Sequence, residues 1–322
     1  MTARTGARTQ ARTRTRAPEP VLDEVADGVF AYVQPNGGWC VNNAGVLSSD
    51  GVVALVDTAA TERRTRALRE RVTAGGRPAP SAVVNTHSHG DHTFGNYLFP
   101  EAAVYAHHET RREMDAAGLH LTTVWPEVAW GALELALPTV THRAGMTLHV
   151  GSLTAELVHM GVAHSTNDTV VWLPEQKVLF TGDIAMSGVT PFCPMGSIAG
   201  SLAAIERMRA FGPETVVTGH GPVGGVEVLD ASADYLRWVQ GLARDALAAD
   251  LTPTQAAWEA DLGPFAGLLE TERLIPNLHR AYAEERNAAH GGALDMGLVI
   301  EEMGVLFAEM TRYHGGPLRC EA

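Results

Sequence analysis

The sequence has few cysteines and no long apolar run. Its three cysteines, Cys40, Cys193 and Cys320, are widely spaced and odd in number, so they fit neither a disulfide framework nor a CxxC zinc knuckle. A reducing, cytoplasmic location is therefore the expectation. No apolar run approaches the roughly 20 residues that a membrane-spanning helix needs, so we expect no membrane association.

Basic residues are fewer than acidic ones, and the formal net charge is −13. Such a surface is repelled by phosphate backbones and anionic lipids, which argues against nucleic acid as a partner. The exception is the opening segment, residues 1–20, with five arginines and one acid. It lacks the apolar stretch of a secretory signal, so a disordered basic tail is expected there.

Short β-like runs separated by Gly, Asn and Asp turns begin after this tail. The runs at 28–34, 40–49 and 51–58 predict a β-meander. From residue 60 helical and strand patterns alternate, which predicts a mixed sheet with helices on its faces. The stretch 119–143 fits no period and is expected to be a loop or lid insertion. A second set of strand patterns follows it, so two related halves predict an αββα sandwich.

In the last part of the chain, apolar residues recur at helical spacing. We therefore expect one α/β domain over residues 21–228 and an α-helical extension over 229–322 that packs on it. Thr252 before Pro253 predicts a helix start, because threonine caps helix N-termini and proline suits the first turn. The apolar helical surface is compatible with a homodimer.

Four potential metal ligands crowd into one turn, "NTHSHGDH", directly after the apolar run "SAVV". His87 and His89, at the end of a strand, place two imidazoles on one side of the chain. Asp91 and His92 come one turn later, where a helix begins, and face a neighbouring point. Because imidazole and carboxylate are preferred zinc ligands, this one turn could serve two adjacent cations.

Three further candidate ligands lie at or between other predicted strands. His164 lies in "GVAHS", Asp183 ends "LFTGD" and His220 ends "VVTGHG". Strand ends on one edge of an open sheet are where sites assemble, so these segments could meet the first turn. The predicted centre holds two Zn²⁺ ions, bridged by Asp183: one bound by His87, His89 and His164, the other by Asp91, His92 and His220.

These motifs, in this order and spacing, resemble the metallo-β-lactamase-fold superfamily over roughly residues 24–225. The resemblance implies the αββα sandwich and one or two bound zinc ions. With an aspartate at position 183 the chain resembles the glyoxalase II, lactonase and related hydrolase branches. True lactamases carry other residues at this position. Histidine at position 89, rather than glutamate, favours zinc over a di-iron centre.

Segments outside the metal motifs resemble the bicyclase family of actinorhodin-type aromatic polyketide pathways. They include "GGWCVNNAG" (37–45), "FAGLLETERLIPNLHRA" (265–281) and "YHGGPL" near the C-terminus. This resemblance implies a cyclase that closes the second ring of a polyketide bound to an acyl carrier protein, by intramolecular aldol condensation. Hydrolysis of the thioester then releases the product. In both tasks Asp91 is the candidate proton carrier and catalytic residue.

A planar substrate favours aromatic and apolar walls with few polar anchors. Trp39, Trp125 and Phe192 are the candidate walls, and the hydroxyls of Ser187 and Thr190 could donate hydrogen bonds to a ketone. The exposed run "ERRTRALRER" could dock an acidic carrier protein. The remaining histidines have no partner at useful spacing and are assigned to structure or surface: His107, His108, His120, His142, His149, His159, His279, His290 and His314.

Two other functions fit the same ligands. The first is a generic metal-dependent thioesterase or lactonase of the glyoxalase II type, which acts on a small ester or thioester. Lys177 is the only lysine, which speaks against a site for an anionic glutathione-like tail. The second is a metal-dependent binding or sensor protein without catalysis, although the complete ligand set argues against it.

Overall fold

The computed structural model describes residues 19–290 and 303–322. The N-terminal half forms a sheet whose neighbours follow the chain order. The strands β1 to β4 are antiparallel and β4 to β7 are parallel. Their bounds are β1 Val21–Ala26, β2 Val29–Val33, β3 Ala44–Ser49, β4 Val52–Val56, β5 Ala82–Val84, β6 Ala103–His107 and β7 Val140–His142.

The second sheet has the order β12-β11-β10-β9-β8. Only β11 and β12 pair in parallel in this sheet; its other neighbours are antiparallel. The bounds are β8 Gly145–Val150, β9 Leu153–Gly161, β10 Asp168–Leu173, β11 Val178–Phe180 and β12 Thr215–Val217.

The two sheets pack face to face through the apolar side chains that alternate along their strands. Because successive side chains in a strand point to opposite faces, each sheet gives one set to this layer and one to its helices. The layer contains Val29, Leu47, Val56, Val84, Leu153, Leu157, Val171, Phe180 and Val217 among others.

Helices cover the outer faces and confirm the predicted αββα sandwich with C-terminal helices. Leu68 and Val72 of the first helix pack on the first sheet, while the C-terminal helices pack on the second. The bounds are α1 Glu62–Thr73, α2 Gly90–Thr93, α3 His108–Ala117, α4 Leu121–Val124, α5 Ile198–Ala210, α6 Glu227–Ala248, α7 Pro253–Glu259, α8 Leu274–His290 and α9 Met303–His314.

The predicted start of α7 is confirmed. The hydroxyl of Thr252 accepts a hydrogen bond from the amide of Gln255, and the Gln255 side chain accepts one from the amide of Thr252. This reciprocal pair satisfies two N–H groups that the first turn would otherwise leave unpaired. None of the helices in the described ranges combines the length and apolarity that crossing a bilayer would need.

Several predicted boundaries differ from the structure. Residues 40–43 were expected in a strand but form an irregular segment before β3. Strand β1 was missed because its half-exposed sequence lacks a clear alternation. The 119–143 insertion is irregular except for α4 and edge strand β7. The predicted basic tail, residues 1–20, lies almost entirely outside the described residues.

Candidate metal centre

The seven predicted ligands lie in loops that gather at one edge of the sandwich. Because β11 and β12 are parallel, their carboxyl ends meet at the same edge, where sites in open sheets assemble. The ligands follow β5 (His87, His89, Asp91 and His92), join β9 to β10 (His164), follow β11 (Asp183) and follow β12 (His220).

Three imidazoles form the first ligand group. Nε2 of His87 lies 3.0 Å from Nδ1 of His89, and Nε2 of His164 lies 2.9 Å from that same Nδ1. Nitrogens at about this separation can share one tetrahedral ion, since zinc binds histidine at about 2.0–2.1 Å. The structure therefore brings the three predicted ligands of the first cation to one point.

The second ligand group lies beside the first. Oδ2 of Asp91 is 3.8 Å from Nε2 of His92 and 3.3 Å from Nε2 of His220. All three side chains are buried. A carboxylate and two imidazoles leave room for a further ligand on a four-coordinate ion, as catalytic sites require.

Asp183 lies between the two groups. Its Oδ1 is 3.2 Å from Nε2 of His92, and its Oδ2 is 3.4 Å from Nε2 of His220 and 3.6 Å from Nε2 of His164. Although these two atoms are close, neither Oδ1 of Asp183 nor Nε2 of His92 makes a well-aligned hydrogen bond among the described residues, and both are buried. Because buried polar atoms are rarely left unpaired, these orphaned atoms fit a centre built to hold cations.

In three of the candidate ligands, the ring nitrogen that points away from the centre donates a hydrogen bond to the protein. Nδ1 of His92 donates to Oδ2 of Asp57 at 2.8 Å, Nδ1 of His220 to the carbonyl of Gly37 at 3.1 Å, and Nδ1 of His164 to a backbone carbonyl. Such partners fix the tautomer and the ring orientation. In the neutral ring they place the proton on Nδ1, so Nε2 is the nitrogen that can bind a cation at the centre.

The two groups differ in the charge that their surroundings favour. Burial lowers the pKa of His87 well below its usual range, and it lowers those of His89 and His164 to about 4. These rings are neutral near pH 7, as metal ligands must be. Burial also acts to lower the pKa of His220, but the carboxylate of Asp183 outweighs it and raises the pKa to about 9.

The predicted aromatic walls pack against one another and are buried in the hydrophobic core. The ring of Trp39 lies 5.2 Å from that of Phe192 and 5.7 Å from that of Trp125, and Phe307 of α9 joins them. We call these four residues the aromatic cluster. Its link to the centre is direct, because the backbone carbonyl of Phe192 accepts the Nδ1 hydrogen bond of His164.

The two predicted hydroxyl donors occupy different positions. The hydroxyl of Thr190 donates to the carbonyl of Leu269 at 2.8 Å, so it anchors the C-terminal extension and is not free to bind a substrate ketone. Ser187 is half-buried, and its amide donates to the carbonyl of His220 at 3.1 Å. Its backbone thus steadies the loop of a candidate metal ligand.

Sequence reasoning missed a group of charged residues beneath Trp39. The guanidinium of Arg273 lies 4.1 Å from the centre of the Trp39 ring and forms a buried ion pair with Glu270. The indole N–H of Trp39 donates to Glu272 at 3.0 Å. The available signal was "ETER", a charged run inside an otherwise apolar helical segment.

Some histidines that were expected to lack partners have them. The rings of His107 and His159 stack at 3.9 Å, and His108 and His142 adjoin them. Among the described residues, the sets of side chains close enough together to hold a metal ion do not include these four histidines. His120 is close enough to Asp91 for that carboxylate to raise its pKa, although burial lowers it more.

The sequence model of the Metallo-beta-lactamase superfamily matches residues 37–220, the segment that carries all seven ligands. The chain belongs to this superfamily. It is therefore an enzyme of a metal-dependent superfamily whose usual metal is zinc, and its His/Asp clusters fit a metal site. The C-terminal helices beyond residue 220 lie outside the match.

Curated relatives of this metallo-beta-lactamase superfamily member include lactamases and thioesterases. A metallo-beta-lactamase type 2 from Bacteroides fragilis is 24% identical over 222 residues, 65% of this chain and 82% of the relative. The acyl-coenzyme A thioesterase MBLAC2 of Bos taurus is 28% identical over 185 residues, 52% of this chain and 63% of the relative.

Solved structures agree with the superfamily fold. DIM-1 metallo-beta-lactamase aligns with a TM-score of 0.56 at 21% identity, over 69% of this chain and 99% of that one. A metallo-beta-lactamase from Pontibacter korlensis aligns with a TM-score of 0.55 at 20% identity, over 68% of this chain and 99% of that one. At this identity the likeness shows the fold alone.

Proposed function

We propose that this enzyme hydrolyses the thioester of a large aromatic acyl group. The observation that carries the proposal is the aromatic cluster, whose Phe192 carbonyl holds the metal ligand His164. An acyl chain on these rings would have its carbonyl beside the ligands. The similarity to acyl-coenzyme A thioesterases supports the same reaction class.

The residues of the centre divide the work of hydrolysis. Two zinc ions, when bound by the seven ligands, supply Lewis acidity and water that ionises near neutral pH. Burial acts to raise the pKa of Asp91, but His92 and His220 outweigh it and lower that pKa below its usual range, so the carboxylate is ionised at neutral pH. It lies 3.3 Å from Nε2 of His220, so it can orient the attacking water and hold the proton that the water loses. Water attack on the carbonyl carbon breaks the C–S bond, and that proton completes the leaving thiol.

We further propose that the acyl group is an aromatic polyketide on an acyl carrier protein, and that ring closure precedes hydrolysis. An α-proton passes to Asp91, and the resulting carbanion attacks a ketone further along the chain. The alkoxide takes that proton back from Asp91, and loss of water followed by enolisation gives the aromatic ring. Trp39, Trp125 and Phe192 form an apolar aromatic wall that suits such a substrate. The resemblance in 37–45 and 265–281 supports this choice, since both segments border the aromatic cluster.

Helix α1 is the proposed dock for the acidic carrier protein. Arg63, Arg66 and Arg69 are exposed on it, although Arg66 pairs with Glu62 and Arg69 donates to a backbone carbonyl. Reversing the three arginines to glutamate should slow turnover of carrier-bound substrate and leave a small thioester mimic unaffected. The control is Arg237→Glu on α6, and unchanged carrier turnover would remove the dock.

The deciding experiment supplies the purified protein, loaded with zinc, with a synthetic thioester of a poly-β-ketone. A cyclised free acid is the expected product. Uncyclised acid alone would remove the cyclase step and leave the thioesterase. No release of acid, together with rapid opening of a chromogenic β-lactam, would overturn the proposal. His89→Ala, which removes one ligand, is the inactive control.

A further inference from the structure

A carboxylate outside the seven ligands joins two of the loops that carry them. Glu113, half-buried on α3, accepts hydrogen bonds from Oγ of Ser88 at 2.9 Å and Nδ2 of Asn167 at 2.6 Å. The hydroxyl of Thr166 donates to its other oxygen. The carboxylate therefore uses both oxygens to bind two segments that are far apart in the sequence.

Each donor is close in sequence to a ligand of the first group. Ser88 stands between His87 and His89, and Asn167 lies in the loop of His164. Asn167 is fully buried. Besides donating to Glu113, it accepts a hydrogen bond at its Oδ1 from the hydroxyl of Thr110, also on α3, at 2.9 Å. Helix α3 is thus attached to both loops that supply the first group.

We propose that Glu113 is a positioning residue for the first metal ion. Hydrogen bonds to an ionised acceptor are about twice as strong as neutral ones, so Glu113 can hold the Ser88 and Asn167 loops at a fixed separation. That separation determines how His87 and His89 face His164. Glu113 contacts none of the reacting atoms and acts only through these loops.

The second ligand group is held by other contacts. His92 is oriented by Asp57 and His220 by the carbonyl of Gly37. Neither contact involves α3. Loss of Glu113 should therefore affect the two metal ions unequally, which separates a positioning role from a general contribution to stability. This expectation does not depend on which thioester the enzyme hydrolyses.

The test is a titration of metal-free protein with Zn²⁺ against a chromophoric chelator. We expect Glu113→Ala to weaken one of the two sites about 10- to 100-fold, the usual effect of losing an outer-sphere partner, while the other site keeps its affinity. Repeating the measurement in a His220→Ala background, where only the first group is complete, identifies the affected site. Glu113→Gln keeps the shape and one acceptor, so it should recover part of the affinity.

Glu109→Ala is the matched control, because Glu109 is on the same helix but pairs with the exposed Arg112. It should bind both ions with wild-type affinity. The proposal is overturned if Glu113→Ala binds both ions as wild type does, or if both affinities fall by the same factor. Should Glu113→Ala fail to fold, the same two outcomes for Glu113→Gln decide the question.

Discussion

Replacing Asp57 by asparagine should disable the second metal site by changing the tautomer of one ligand. Oδ1 of Asp57 accepts the amide N–H of Thr86 at 2.8 Å, and its Oδ2 faces Nδ1 of His92 at 2.8 Å. In the variant the side-chain oxygen of the asparagine still accepts the backbone N–H of Thr86, so the side-chain NH₂ group faces His92. The imidazole must then carry its proton on Nε2, the atom that faces Asp183.

The size of the effect follows from the lost hydrogen bond. A hydrogen bond to a charged group contributes about 1.5–3 kcal/mol, and about 1.4 kcal/mol corresponds to a tenfold change in affinity. The second site should therefore weaken about 10- to 100-fold, which agrees with the usual effect of outer-sphere changes. The backbone should be unaffected, because φ at Asp57 is 62° and asparagine tolerates this left-handed region.

Zinc affinity at each site, measured by chelator competition, and kcat/KM for a thioester are the two readouts. Asp50→Asn is the control, since Asp50 is an exposed turn residue with φ of 50°. Wild-type affinity at both sites in Asp57→Asn would refute the argument that Asp57 sets the tautomer of His92.

Three further predictions concern Gly219 beside Asp183, the aromatic cluster, and the stacked histidines around His107. Gly219→Ala should abolish binding of at least one ion in a zinc titration, because the new Cβ would lie 1.9 Å from Oδ1 of Asp183; retained binding of both contradicts this. Trp39→Ala should lower kcat/KM more for an aromatic acyl thioester than for an acetyl thioester, and an equal loss would exclude Trp39 from the substrate surface. Burial lowers the pKa of His107 and His142 to about 4, whereas an unfolded histidine titrates near about 6.5. The unfolded chain therefore takes up more protons between these values. The free energy of unfolding is highest above about pH 6.5 and should fall by up to about 3 kcal/mol for each of the two rings as the pH approaches 4. Urea unfolding of the wild type beside His107→Phe measures this fall, and identical pH slopes for the two proteins would contradict its origin in these rings.

The ligand set was accessible from the sequence because its chemistry is local. The candidate ligands His87, His89, Asp91 and His92 fall within one turn. Asp183 and His220 follow apolar strands and His164 lies between two strands, so spacing and strand ends suffice to propose a common edge. The αββα layers follow similarly from alternating strands and helices. Strand β1 was missed because it lies at the edge of its sheet, where a partly exposed strand needs no regular apolar alternation.

The surroundings of the centre could not be predicted because they depend on contacts between distant segments. Trp39 donates to Glu272 and stacks under Arg273, more than 200 residues away in the chain. Glu113 sits on an ordinary charged helix face, and nothing in its local sequence indicates that it accepts from Ser88. Asp57 gave a weak indication of a role near the centre, because it is a polar residue directly after the apolar strand β4.

The metal content of freshly purified protein tests the central claim most directly. Elemental analysis should find two transition-metal ions per chain in the wild type, and about one in His220→Ala, where the first group remains intact. Protein that binds no transition metal, or an Asp183→Ala variant that keeps both ions with unchanged affinity, would contradict the account of a shared dinuclear centre.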